Sequence, residues 1–401
     1  MKHSSIAFLP LLVFLPLALS AEIVLQKPAR DEVITTTAPE LRAFLNLPQA
    51  ERRVCFTNRV KRAQLNRVRD AQPYAFQWRC TEGETGEFSV VISERADFSV
   101  PAPALTLYLT NGLARAAQPN EADIVNLPIG RTCYWKVECK TTDGKKLASA
   151  SGRFKTDPFP PRLMTIPNVG NVRDLGGRTG LGGKRIRQGL IYRSSGLNQN
   201  SPDYHSDHKK WKKKNPADFI IGATKLTPDG VAYINGVLKW RTDLDLRSDG
   251  EVGPMKTSPA GPAVKWIHHS SQAYDAIFGD KGSCAGEGPA AMAKNFRVFC
   301  DRANYPIDLH CIAGADRTGA LSYVLNGVLG VDKDELEKDW EITANSYFNY
   351  DKMFDHLAGG FDAFGAPNDP LYKKIEAYLL KIGINPKEIA AFRAIMLEDR
   401  P

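Results

Sequence analysis

The sequence predicts two domains, an N-terminal all-β sandwich and then an α/β domain whose central sheet is flanked by helices. Three observations carry this reading. Before Asp157 apolar and polar residues alternate in short runs. After Pro161 short apolar strands alternate with helical patterns. Between them, Asp157-Pro-Phe-Pro-Pro161 breaks regular structure, as a domain boundary should. At 401 residues the chain is long enough for two cores. Its composition, 43% hydrophobic and 24% charged, is that of a globular protein, and its prolines and glycines follow no period, which excludes a collagen-like chain.

The first segment, 1–20, has the layout of a secretory signal peptide. Lys2 and His3 precede an apolar run from Ile6 to Leu19, broken by Pro10 and Pro16, and the small residues Ala18 and Ser20 precede a cut at Ala21. No cysteine stands at the cut, and nothing downstream is long and apolar enough for a transmembrane segment. The protein is therefore expected to be exported, to the periplasm or the exterior. Seven cysteines follow: Cys55, Cys80, Cys133, Cys139, Cys284, Cys300 and Cys311. In an oxidising compartment an odd count points to one free thiol, with six able to pair and Cys311 left over. No cysteine pair has zinc-site spacing with partner histidines, so no metal is expected. The net charge of +8 suits an anionic substrate, and without a recognisable motif it does not imply a nucleic-acid partner.

Residues 21–157 make the β-domain. Tyr74, Phe76, Trp78 and Cys80 alternate, as do Phe88, Val90 and Ile92, Leu105, Leu107 and Leu109, and Cys133, Trp135, Val137 and Cys139. Thr142-Asp143-Gly144-Lys145 reads as a hairpin turn, because Asp-Gly tolerates positive φ. Cys80 is placed to face Cys133 or Cys139 across the sheets. The stretch from Ala38 to Arg69 reads as a helical, Arg-rich insertion. The segment Cys133-Tyr-Trp-Lys-Val-Glu-Cys139, closing with Gly152-Arg-Phe-Lys-Thr156, resembles the last strands of fibronectin type III domains.

Residues 158–401 make the α/β domain. Strands are expected at Leu190–Arg193, Thr242–Leu246, Val264–His268 and Ile307–His310. Helices are expected over Pro289 to Ala303, after the capping pair Asp332 and Glu335, and after Asn385, Pro386 and Glu388.

The chemistry concentrates at one turn. Pro306-Ile-Asp-Leu-His-Cys311 reads as a buried strand ending at a thiol, and Thr318-Gly-Ala-Leu-Ser-Tyr opens a helix. Between them, Ile312, Ala313, Gly314, Ala315, Asp316 and Arg317 form a loop whose backbone N–H groups, with the helix N-terminus, can cradle a phosphate. The same positive potential favours thiolate at Cys311. Arg317, six residues on, can grip two phosphate oxygens in a bidentate fork. A buried core cysteine beside a loop is the plainer alternative. Gly314, His310 ahead and Arg-Thr-Gly behind favour the catalytic reading.

This domain resembles the bacterial tyrosine phosphatase 3 family of atypical protein and lipid phosphatases. The resemblance rests on Asn168-Val-Gly-Asn-Val-Arg-Asp-Leu-Gly-Gly177, on Thr242-Asp-Leu-Asp-Leu-Arg-Ser-Asp-Gly-Glu251 and on the Cys311 loop, and spans Arg162 to the C-terminus. It implies a cysteine-phosphatase fold and a cofactor-free, two-step mechanism. Cys311 attacks phosphorus and forms a phosphocysteine, Arg317 and the loop hold the oxygens, Thr318 eases departure of sulfur, and Asp316 acts as general acid. Asp243 and Asp245 are rival carboxylates for that role. His310, Arg173, Asp174 and Asp245 are expected in support, Arg173 and Asp174 chiefly as a structural turn. Arg247 and Asp249 either orient the loop or form a solvated pair, and His268 and His269 pack or face water. The basic run His208-Lys-Lys-Trp-Lys-Lys-Lys214 reads as a solvated surface loop, with steering of anionic substrates as the alternative. The sequence departs from some lipid-active relatives at Ala315, where they carry Lys.

The substrate expected is a phosphorylated protein or small phosphoester, phosphotyrosine first, with tolerance for phosphoserine or phosphothreonine. Inositol phosphates are the alternative, and a phospho-ligand-binding protein without turnover is a third reading. Nothing in the sequence specifies an oligomer.

Overall fold

The computed structural model describes residues 22–58, 60–61, 64–65, 68, 70–80, 86–110, 119–198, 226–279, 286–344 and 350–399. The expected signal peptide, the basic run His208 to Lys214 and Cys284 lie outside the described residues.

The N-terminal region comprises strands β1 (Ile23–Lys27) and β2 (Val33–Ile34), helices α1 (Pro39–Leu45) and α2 (Gln49–Thr57), and strands β3 (Tyr74–Cys80), β4 (Gly86–Ser93), β5 (Leu105–Thr110), β6 (Pro119–Val125), β7 (Thr132–Thr141), β8 (Lys146–Ala148) and β9 (Gly152–Thr156). One sheet has the order β1-β3-β6-β5; the other runs β2-β9-β7-β4, with β8 against β7. Alternation does what it must: Phe76, Trp78 and Cys80 from β3 meet Cys133, Trp135, Val137 and Cys139 from β7 in one core. Phe76 stands edge-on to Trp135 at 5.0 Å and to Phe154 at 5.4 Å between ring centroids. Such aromatic pairs add about 0.5–1.5 kcal/mol each beyond area burial. The expected turn is present, with Gly144 at φ 87°.

Cys80, Cys133 and Cys139 share the β-core, as the alternation predicted. Cys55, Cys133 and Cys300 carry free thiols. Burial pushes the Cys133 thiol up to about 12, so it behaves as a small hydrophobe of the core.

The proline segment carries no regular structure, yet it is tied on both sides. Asp157 pairs with Arg42 of α1, whose guanidinium lies 4.5 Å from the Phe159 ring centre. Just beyond, buried Arg162 donates to the carbonyls of Asn126 (2.6 Å) and Leu127 (3.2 Å) and pairs with Asp174 at 3.0 Å.

The C-terminal region comprises β10 (Arg162–Leu163), β11 (Arg173–Asp174), β12 (Arg185–Ile186), β13 (Ile191–Ser194), α3 (Pro228–Tyr233), β14 (Thr242–Asp245), α4 (Asp249–Val252), β15 (Lys265–His268), α5 (Glu287–Val298), β16 (Ile307–His310), α6 (Asp316–Val328), α7 (Lys333–Ala344), α8 (Tyr350–Gly360), α9 (Leu371–Lys381), α10 (Pro386–Met396) and β17 (Leu397–Glu398). The main sheet has the order β10-β11-β13-β16-β14-β15. Strands β13, β16, β14 and β15 pair in parallel, so their C-terminal ends gather on one side, where an α/β sheet places its ligand. Helix α6 is buried from Thr318 to Val328, and both expected caps are present, at Asp332 and at Asn385 with Glu388.

Candidate active site

Strand β16 delivers His310 and Cys311, both fully buried, and the chain turns into α6 through Ile312 to Ala315. Gly314 is required at this turn. Its φ is +66°, and a Cβ there would lie 2.2 Å from the Ser194 carbonyl oxygen. Three consecutive loop carbonyls are captured from outside. Ile312 O accepts from Gly196 N–H at 2.8 Å, Ala313 O from Asn171 Nδ2 at 3.0 Å, and Gly314 O from both Asn171 Nδ2 (3.0 Å) and Arg193 Nη2 (2.6 Å). Pulling the carbonyls outward turns the peptide N–H groups the other way. Those of Ile312 to Ala315 meet no backbone acceptor among the described residues, which leaves them for an anion.

Burial alone would push the Cys311 thiol up. The Arg317 charge, helped by the Thr318 hydroxyl and backbone N–H and opposed by Asp316, outweighs burial and holds it below its ordinary value. By geometry the buried Thr318 hydroxyl has no hydrogen-bond partner among the described residues. Arg317 is half-buried, and its Nη1 and Nη2 donate to the Glu251 carboxylate at 2.5 and 3.1 Å. Burial would raise Glu251, but its bond to Arg317 wins and lowers it. Glu251 also accepts from Ser248 N–H at 2.7 Å, so one carboxylate caps α4 and aims the arginine.

Beneath the loop, His310 donates from Nε2 to Asp243 (2.8 Å) and from Nδ1 to the Cys311 carbonyl (3.1 Å). Burial disfavours its charge, yet Asp245 and Asp243 together push it up to about 9. Asp245 is held by Arg247 through Nε at 2.9 Å and Nη2 at 2.6 Å, and Ser258 donates to Asp243 at 2.6 Å. Neither rival carboxylate is therefore placed to serve as the acid. All four residues of β14 are buried, because the strand lies inside a parallel sheet covered on both faces. Asp316, in contrast, is half-buried at the start of α6 and accepts from the Tyr274 hydroxyl.

The pattern of the tyrosine phosphatase family matches residues 164–215 and 222–398, more than half of the chain. The chain belongs to this family. A provisionally named tyrosine-protein phosphatase of Cupriavidus necator is 27% identical over 191 residues, covering 43% of this chain and 60% of the relative. The chain thus spans somewhat under two thirds of that relative's length.

The other expected site residues of this tyrosine phosphatase family member form an outer tier. Arg173 does not reach the loop. It grips Asp339 (2.8 Å) and the Asn171 side chain (2.7 Å), and Asn171 in turn holds the loop. Asp339 also pairs with Arg193 at 2.5 Å and Arg178 at 3.0 Å, and although burial opposes its charge these arginines hold its carboxyl far below the usual range. Asp174 binds Arg162 and the N–H groups of Gly176 and Gly189. Arg247 is buried on Asp245 while Asp249 is exposed, so they are not a solvated pair. His268 Nε2 donates to the Arg247 carbonyl at 2.8 Å, and burial pushes His269 down to about 4. Sequence reasoning missed Asn171, Arg193, Glu251, Tyr274 and Asp339. Of these, Glu251 carried a readable signal, the Ser248-x-x-Glu251 capping box.

Proposed function

We propose that the protein is an exported phosphatase that hydrolyses phosphotyrosine, with tolerance for other phosphomonoesters, through a phosphocysteine on Cys311. The observation that carries this reading is the outward capture of three loop carbonyls around a fully buried, acid-shifted thiol. The Cys311 sulfur attacks phosphorus in line while loop N–H groups and Arg317 hold the equatorial oxygens. Asp316 supplies a proton to the departing oxygen. Water then attacks phosphorus, the S–P bond breaks, and Thr318 receives the returning thiolate. Ala315 leaves the loop without an added cation, which favours a phosphotyrosine over a many-phosphate inositol.

Export rests on the character of residues 1–20. We take 21–157 as a fibronectin III-like module, supported by its two sheets on one core, and 158–401 as the catalytic unit. The test is hydrolysis of para-nitrophenyl phosphate by reduced protein in EDTA, beside Cys311→Ser. Turnover that disappears in the variant is expected. Turnover that survives it would overturn the assignment, and vanadate binding without turnover in the native protein would make it a binding protein.

A further inference from the structure

We propose that Tyr274 is a positioning residue for proton transfer, fixing the Asp316 carboxyl over the leaving oxygen. This rests on the phosphatase reading above and on Asp316 as its acid.

Four observations meet at Tyr274. Its hydroxyl donates to Asp316 Oδ1 across 42 residues of sequence. Its backbone is left-handed, at φ 55°, a conformation that bulky aromatic residues avoid and that persists where the surroundings over-determine it. Its ring stands edge-on to Trp340 at 6.0 Å. Trp340 in turn is braced by Phe354 at 5.8 Å and lies so close to Gly319 that a Cβ there would come within 2.9 Å of it. The tyrosine is therefore set against a floor attached to the same first turn of α6 that carries Asp316 and Arg317. Finally, both Tyr274 and Asp316 are half-buried whereas Cys311 is fully buried. The pair occupies the solvent-side rim, where the alcohol or phenol departs.

In the first step the S–P bond forms and the P–O ester bond breaks. The electron pair passes to the leaving oxygen, which takes its proton from Asp316. The Tyr274 hydroxyl then hydrogen-bonds the carboxylate so formed. In the second step that carboxylate accepts a proton from the attacking water as the S–P bond breaks and its electron pair returns to sulfur. A one-atom deletion, Tyr274→Phe, keeps the ring against Trp340 and removes the hydroxyl that makes this hydrogen bond.

General acid help matters most when the leaving group is basic. The experiment measures kcat/KM, which reports the first step, for para-nitrophenyl, phenyl and alkyl phosphates. It compares native protein, Tyr274→Phe, Asp316→Asn and the double variant, with vanadate affinity as the check on an intact loop. Tyr274→Phe is expected to lose about tenfold on phenyl phosphate and under about twofold on para-nitrophenyl phosphate. It should add nothing in the Asp316→Asn background, and vanadate affinity should stay unchanged. An equal loss on every ester, or additive losses in the double variant, would overturn the proposal. Should Asp316→Asn itself show no dependence on the leaving group, the acid assignment falls and this proposal with it. The Cys311 reading, tested separately by Cys311→Ser, would stand.

Discussion

The two regions of the molecule fill their interiors with different chemistry. Between the N-terminal sheets lie Phe76, Trp78, Phe88, Trp135, Val137 and Phe154, hydrocarbon against hydrocarbon. Beneath the Cys311 loop the strands bury Asp243, Asp245, Asp308 and His310, and Arg173, Arg178, Arg193 and Arg247 lie buried around them. Apolar burial stabilises in proportion to area, at about 25 cal/mol per Å². Buried ion pairs gain little net stability, because desolvation offsets their attraction, but breaking one leaves an uncompensated charge. The first interior holds a shape; the second holds an orientation. The seam between them is ionic too, with Arg52 of α2 bonded to Glu341 (2.5 Å) and Asp334 (2.6 Å), and Arg53 to Glu337 (2.7 Å).

The contrast is broken most easily by one substitution in each interior. Trp135→Ala should cost about 3–5 kcal/mol in denaturant unfolding, with kcat/KM per folded molecule unchanged. Asp339→Asn strands Arg173, Arg178 and Arg193 and should cost about 3–5 kcal/mol as well. It should also lower kcat/KM, since Arg193 and, through Arg173, Asn171 hold the loop carbonyls. Equal effects of both substitutions on kcat/KM would dissolve the distinction.

Arg317→Lys sharpens the other side. It keeps a charge and loses the fork, and should lower kcat by about 10²–10³ while leaving the melting temperature near native. Arg52→Ala tests the seam at smaller scale, with an expected stability loss of about 1–3 kcal/mol. Burial already pushes Glu341 up to about 8, so it can take a proton when its partner is gone, and the loss should grow above that pH.

A pH slope in stability is expected as well. His310 binds its proton more tightly in the folded protein, at about 9 against an ordinary 6.5. Its contribution is complete below pH 6.5 and is lost as pH rises through 9. Burial raises Asp308 to about 8, so its contribution also falls with rising pH, beginning above 3.8. Unfolding free energy should therefore decline from pH 6.5 to 9 by at most about 1.4 kcal/mol per unit for each proton. A His310→Gln variant should decline less, and a native curve flat over that range would contradict the charge assignment.

The same contrast explains what could be read from the sequence. An apolar sheet face advertises itself through alternation, so Tyr74 to Cys80 and Cys133 to Cys139 were legible strands. The Cys311 loop was legible because thiol, glycine and arginine keep a local spacing. The grip on that loop was not. Arg193 meets Asp339 across 146 residues and Asn171 meets Gly314 across 143, and such contacts leave no periodic trace. Asp243 and Asp245 stayed ambiguous for a related reason, since the partner that ties Asp243 down, His310, lies 67 residues away.

The central claim is that Cys311 takes the phosphoryl group, and acid-quenching a burst of turnover with a radiolabelled aryl phosphate tests it directly. The account predicts label on the peptide containing Cys311, trapped further when Asp316→Asn slows the second step. Full turnover with no labelled cysteine, or with label on another residue, would contradict it.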